Sequence, residues 1–157
     1  AISRTIESDP FNPETPPVSL QLASKYAKSG EMEKAIKLYE QVARDFPSTE
    51  WEEKARYEML IHEIKNIPEA SADVSRFFAV EKSIDSFVHD FPASPHNDSL
   101  KKKKVELRNQ IAGRLFNIAE IYRKNGYKKS AEIYYKKIKD LYPDTEYAKK
   151  IPPVDSH

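Results

Sequence analysis

The sequence predicts an all-α fold built from antiparallel helix pairs, and three observations carry that prediction. Apolar residues recur at three- and four-residue spacing along the chain, and strand-like alternation is absent. Glycine occurs only three times, at positions 30, 113 and 126, and most prolines fall between the helical patterns. The same pattern is also written twice. Gly30, Ala35, Tyr39 and Pro47 return 96 residues later as Gly126, Ala131, Tyr135 and Pro143.

The elements follow in order. Residues 1–17 hold four prolines and read as an extended N-terminal arm. Leu20, Ala23 and Ala27 then make one helical face, with Leu22 and Tyr26 beside it. Over 31–46 a second face holds Ala35, Leu38, Tyr39, Val42 and Phe46. A third helix, 50–65, carries Trp51, Ala55, Met59 and Leu60. The stretch NIPEASADVS lengthens the next turn. A fourth helix, 76–91, carries Phe77, Val80, Ile84 and Phe87. After Pro92 the chain reads as one long helix, with Ser94 as its cap and Pro95 at its first position. That helix has about four turns more than the usual first helix of a pair, five at most. It ends in a face of Leu115, Ile118, Ala119 and Tyr122. The last helix, 130–142, presents Ala131, Tyr134, Tyr135, Ile138 and Leu141, and residues 151–157 form a tail.

Gly30 and Gly126 are placed to end the first helix of a pair in the left-handed conformation. Ala35 and Ala131 are small where two helices should cross closely. Tyr39 and Tyr135 fill the groove behind them, and Pro47 and Pro143 stop the second helix. A unit of about 34 residues with this punctuation is the tetratricopeptide pattern. The expected architecture is a tetratricopeptide-like array of about three helix pairs, with units near 18–49, 50–92 and 95–147 and the long helix before the last pair.

Composition excludes much chemistry. Lys+Arg number 26 and Asp+Glu 25, a formal charge of +1 that leaves no global footprint for nucleic acid. No cysteine is present, which excludes disulfides, thiolate zinc sites and cysteine nucleophiles. No apolar run is long enough to span a membrane as a helix, and the first residues lack the apolar core of a signal peptide. His62 and Glu63 begin a zinc-protease-like motif, but Asn66 stands where its second histidine would be. No glycine-rich loop is present to cradle phosphate, and the acids are scattered over helix faces. The expectation is a protein without enzymatic activity, cofactor or metal, offering a binding surface.

Few residues stand out as contacts. Lys101, Lys102, Lys103 and Lys104 form the sharpest charge run; they read either as a solvated helix turn or as a contact for an acidic partner or lipid head groups. Four lysines near a helix N-terminus oppose the macrodipole, which tilts the reading toward a contact. Tyr26, Tyr39, Tyr122 and Tyr135 read as core, whereas Tyr127, Tyr134 and Tyr147 read as exposed. Gly113 in mid-helix marks a close crossing, a bend or simple tolerance.

Residues 18–150 resemble the BamD family, lipoproteins of the outer-membrane β-barrel assembly machinery. The resemblance rests on Leu107-Arg108-Asn109, on a helix ending in the aromatic Tyr122, on the turn Gly126-Tyr127, and on the run from Tyr142 to Thr145. It also rests on the opening repeat YAKSGEMEKAIKLYEQVARDFPST and on the segment leading into the Leu-Arg-Asn motif. Typical members continue for two more repeats and carry a lipid-bearing cysteine, so the likeness is to a short form, tethered through the arm 9–17. The resemblance implies a non-enzymatic scaffold at the periplasmic face of the outer membrane. Its implied partners are the periplasmic domains of the barrel-forming protein and unfolded outer-membrane protein segments, the latter held in the groove of the first repeats. Contact with the membrane would run only through a lipid anchor. The expected contact residues are Lys101 to Lys104, Arg108, Asn109, Tyr127 and Asp144, with inter-helix hydrogen bonding as the other role for Arg108 and Asn109. The alternative is a generic tetratricopeptide adaptor, periplasmic and linked to the cell wall, or cytoplasmic. The lysine–asparagine clamp by which such adaptors grip a terminal carboxylate is not written here, since Leu20, Ser24, Phe116 and Glu120 occupy its positions.

Overall fold

The computed structural model describes residues 12–68 and 73–153, and among them the chain forms seven helices and no strand. They are α1 (Thr15–Lys28), α2 (Met32–Asp45), α3 (Glu50–Lys65), α4 (Ser75–Asp90), α5 (Asn97–Lys124), α6 (Lys128–Leu141) and α7 (Glu146–Lys150). The all-α, tetratricopeptide-like reading holds. Contacts divide the chain into two compact units. The first takes residues up to Asn66 together with Asp85–Ser94, and the second takes Ile67–Ile84 together with the chain from Pro95. Helix α4 is therefore shared, because its Phe77, Val80 and Ile84 count with one unit and its Phe87 with the other.

In the first unit α1 packs on α2 and α2 on α3. Ala23, Ala35, Tyr39, Val42 and Ala55 form the buried seam, flanked by Leu20, Tyr26, Trp51 and Met59. Helix α1 begins at Thr15, inside the segment expected to be an arm. Pro16 and Pro17 fall in its first turn, where a missing N–H removes no helical bond. The remainder of that arm, residues 1–11, lies outside the described residues, as do residues 154–157 of the tail. Arg56 ties α3 to the end of α4. It donates to Asp90 at 2.7 Å and to Ser86 at 3.0 Å and lies over the Phe91 ring.

In the second unit α5 packs along α6, and α7 touches both. Helix α5 has 28 residues against the 14 of α1, an excess of about four turns. It starts later than the sequence implied. Its N-cap is His96, and Ser94 instead closes the turn after α4 through its N–H to the Phe91 carbonyl at 3.0 Å. The later start brings the four lysines nearer the N-terminus, with Lys101 the fifth helical residue, just past the first turn where the macrodipole acts most strongly.

The two α-hairpin turns are built alike. Gly30 has φ +86° and Gly126 has φ +82°. In the first, Glu31 N–H reaches the Tyr26 carbonyl at 2.8 Å and Gly30 N–H reaches Ala27 at 3.2 Å. In the second, Tyr127 N–H reaches Tyr122 at 2.9 Å and Gly126 N–H reaches Arg123 at 3.1 Å. This is the Schellman arrangement, which satisfies carbonyls that the helix end would otherwise leave open. At the other end of each pair, Thr49 and Thr145 donate to the carbonyls of Phe46 and Tyr142 at 2.5 and 2.8 Å.

Gly113 proves to be a close-approach site. A Cβ there would lie 2.9–3.1 Å from the ring of Tyr147, which also packs on Phe116 at 5.7 Å. Tyr147 is therefore seated against α5 and not free for contacts. The opposite correction applies to Tyr122, read as core but 36% exposed, because α6 offers it only Tyr134 as a stacking partner. If Tyr147 is what excludes a side chain at 113, Gly113→Ala costs about 1 kcal/mol in the native chain. The same change stabilises by about 1 kcal/mol once Tyr147→Ala has removed the ring. Urea denaturation of the four variants reads that reversal of sign directly.

Candidate binding groove

The first unit carries a groove of about 270 Å³ lined by Ser24, Ala27 and Lys28 of α1, Met32 and Tyr39 of α2, and Glu58, Ile61, His62 and Lys65 of α3. Glu58, Ile61, His62 and Lys65, from the second half of α3, form one of its walls. Tyr39 is 5% exposed as a residue, but its hydroxyl makes no side-chain bond among the described residues and is not among their buried unpaired atoms, so it is open to solvent in the groove. Burial, with Glu58 nearby, pushes the Tyr39 hydroxyl pKa up, so it remains a neutral donor. Lys28 and Lys65 form no ion pair among the described residues. His62 lies beside Asn66, whose Nδ2 donates to the His62 carbonyl at 2.8 Å and lies 3.0 Å from Nδ1. Apolar walls, one neutral hydroxyl donor and a rim on which Lys28 and Lys65 outnumber Glu58 fit an extended peptide with an apolar side chain and an anionic group.

The repeat supplies an internal comparison. In the second unit the corresponding groove, about 170 Å³, is lined by Arg123, Lys128, Ala131, Tyr135 and Lys139, with Ile151, Pro152 and Pro153 on the far side. Tyr135 occupies the place of Tyr39, but its hydroxyl donates to Glu120. Arg123 grips the same carboxylate at 3.0 and 2.8 Å. Arg123 and the Tyr135 hydroxyl hold Glu120 down at about 2, and desolvation with that carboxylate pushes Tyr135 up to about 12. In the first unit the position of Glu120 is Ser24, and no such circuit forms. One tyrosine is internally satisfied and the other is left open.

The contact residues read from the sequence are placed as follows. Arg108 is a hub within the second unit. Its Nη1 donates to Glu81 at 2.8 Å, its Nη2 to the Leu141 carbonyl at 3.0 Å, and its Nε to Asp144 at 2.9 Å, with a second bond from Nη2 to the same carboxylate. The guanidinium lies 5.1 Å over the Tyr142 ring. The structure thus brings Arg108 and Asp144 together, with Arg108 holding the Asp144 carboxyl below its ordinary range. Glu81, which no spacing in the sequence marked, is 7% exposed and its second oxygen has no bond among the described residues. Asn109, adjacent to the hub, is half-buried. Lys101 and Lys102 are exposed, whereas Lys103 pairs with Glu106 at 3.2 Å and Lys104 is half-buried. Tyr127 is 63% exposed and lies away from the hub, at the α5–α6 turn.

Helices packed in adjacent pairs define a helical-repeat protein of the tetratricopeptide-like kind. The profile of one family, YfiO, described as outer membrane lipoprotein, matches residues 4–152. The chain belongs to that family. A search of curated proteins returns no match. No helix among the described residues is long and apolar enough to cross a membrane.

The hub makes a specific demand. Arg108→Leu strands the buried Glu81 carboxylate and costs about 3 kcal/mol. Glu81→Gln in the same chain recovers much of that loss, because the uncompensated charge is then gone. Thermal and urea unfolding of the single and double variants measure both values.

Proposed function

We propose that this chain is a BamD-like, non-enzymatic accessory subunit that helps place β-barrel proteins in the outer membrane. It works from the periplasmic face, held there by a lipid anchor in the manner of its family. Family membership supports the location and the general role. The observation that carries the binding reading is the contrast between Tyr39 and Tyr135. The Tyr39 hydroxyl is open to a ligand in the groove, whereas the Tyr135 hydroxyl is already committed to Glu120.

The groove over Tyr39 receives the terminal segment of an unfolded outer-membrane protein. Its apolar side chain lies against Met32, Ala27 and Ile61, Tyr39 donates to a backbone or terminal oxygen, and Lys28 and Lys65 attract the carboxylate. A second surface meets the periplasmic domains of the barrel-forming partner. Lys101 and Lys102 supply charge there, with Asn109 close by. Arg108 and Asp144 contribute by holding the 141–145 turn in place.

A labelled peptide copying the last residues of an outer-membrane barrel protein tests the groove by fluorescence anisotropy. The native chain binds it saturably. Tyr39→Phe, which removes one oxygen and leaves the packing, weakens binding roughly five- to tenfold. Lys101→Gln with Lys102→Gln leaves peptide affinity unchanged. Equal binding by Tyr39→Phe and the native chain contradicts the groove's role.

A further inference from the structure

The two hairpin turns share a backbone and differ in surface. Residues 121–129 read Ile-Tyr-Arg-Lys-Asn-Gly-Tyr-Lys-Lys, and every one of them is exposed. The stretch holds four cations and no acid. Ile121 is 61% exposed and Tyr127 63%. Tyr122 and Tyr127 meet edge to face at 6.3 Å, and Tyr134 stacks on Tyr122 at 5.7 Å, so the rings form one standing cluster. Arg123 is neutralised by Glu120. Lys124, Lys128 and Lys129 form no ion pair among the described residues.

The matching turn of the first unit, residues 25–33, reads Lys-Tyr-Ala-Lys-Ser-Gly-Glu-Met-Glu. Its two lysines are balanced by two acids. Its Tyr26 and Met32 are packed against the core. The exposed aromatic and basic character of the second turn is therefore no requirement of the turn itself, since the same Schellman geometry forms without it.

We infer that the 121–129 turn is a membrane-contact tip that seats on an anionic phospholipid surface, the two tyrosines and Ile121 entering the head-group region and the three lysines meeting lipid phosphates. A convex turn suits a bilayer interface, where tyrosine places its ring among acyl carbons and its hydroxyl in water. The lysines beside it add electrostatic attraction. The inference rests on the outer-membrane location of the family. It adds a second point of contact to a tether, and two points restrict how the subunit turns relative to the membrane where one does not.

Flotation of the purified chain with phosphatidylethanolamine vesicles, with and without phosphatidylglycerol, tests this independently of any protein partner. The chain binds the anionic vesicles and releases them as salt rises. Lys124→Gln, Lys128→Gln and Lys129→Gln together lower partitioning about a hundredfold, near fivefold for each charge. Tyr127→Ser lowers binding at low and high salt alike. Lys25→Gln with Lys37→Gln on the first unit changes nothing. Circular dichroism confirms that each variant is helical. The inference is overturned if the folded native chain ignores anionic vesicles, or if Lys101→Gln with Lys102→Gln abolishes binding as fully as the tip triple. It is also overturned if tip variants keep vesicle binding but lose affinity for the barrel protein's periplasmic domains, which would make the turn a protein contact. Loss of peptide binding by the groove with vesicle binding intact would count against the proposed function and leave the tip standing.

Discussion

Two helices can bury a common seam only if they approach closely, and in both units alanine sets that approach. Ala23 and Ala35 are fully buried where α1 meets α2. Ala119 and Ala131 do the same for α5 and α6, at 0% and 2% exposure. Close crossing leaves a notch beside each alanine, and Tyr39 and Tyr135 fill it from the second helix, at 5% and 7% exposure. A larger residue at the crossing would splay the pair, expose the tyrosine and open the seam against which the third helix of the first unit packs. Everything else described depends on this contact, including the groove whose floor the tyrosine forms.

The repeat then allows one scaffold to be finished in two ways. In the second unit a carboxylate and a guanidinium close over the tyrosine hydroxyl, and the groove becomes an internal network. In the first, Ser24 stands where Glu120 would be and the hydroxyl stays open. The hairpin turns diverge in the opposite sense, the first neutral and packed, the second basic with its rings exposed. The same turn backbone forms in both units, so these side-chain differences are not required by the fold.

Much of the fold was legible because its signals are local. The glycines predicted the left-handed turns, the prolines predicted where α2 and α6 stop, and the spacing of apolar residues predicted the buried faces. Boundaries were less legible. Pro16 and Pro17 suggested an extended arm, although proline is also at home in the first turn of a helix, where α1 uses it. Ser94 looked like a cap for α5 but closes the preceding turn. The sites were harder still, since they depend on contacts far apart in sequence. Nothing near Glu81 announces Arg108, 27 positions away. Tyr122 lies on a helical face read as core and Tyr147 in the stretch after α6 read as exposed, yet the first is exposed and the second seated on Gly113, because only the third dimension decides which side of a helix a neighbour covers. The open groove had one readable trace, the exchange of glutamate for serine between repeat positions 120 and 24.

The most direct measurement is a binding titration between this chain and the purified periplasmic domains of a barrel-assembly protein from the same organism, at two salt concentrations. The account predicts saturable binding by the folded chain, weaker at the higher salt. A helical, monodisperse chain that shows no binding at high micromolar concentration would contradict a role as an assembly subunit and leave a helical-repeat lipoprotein with some other partner.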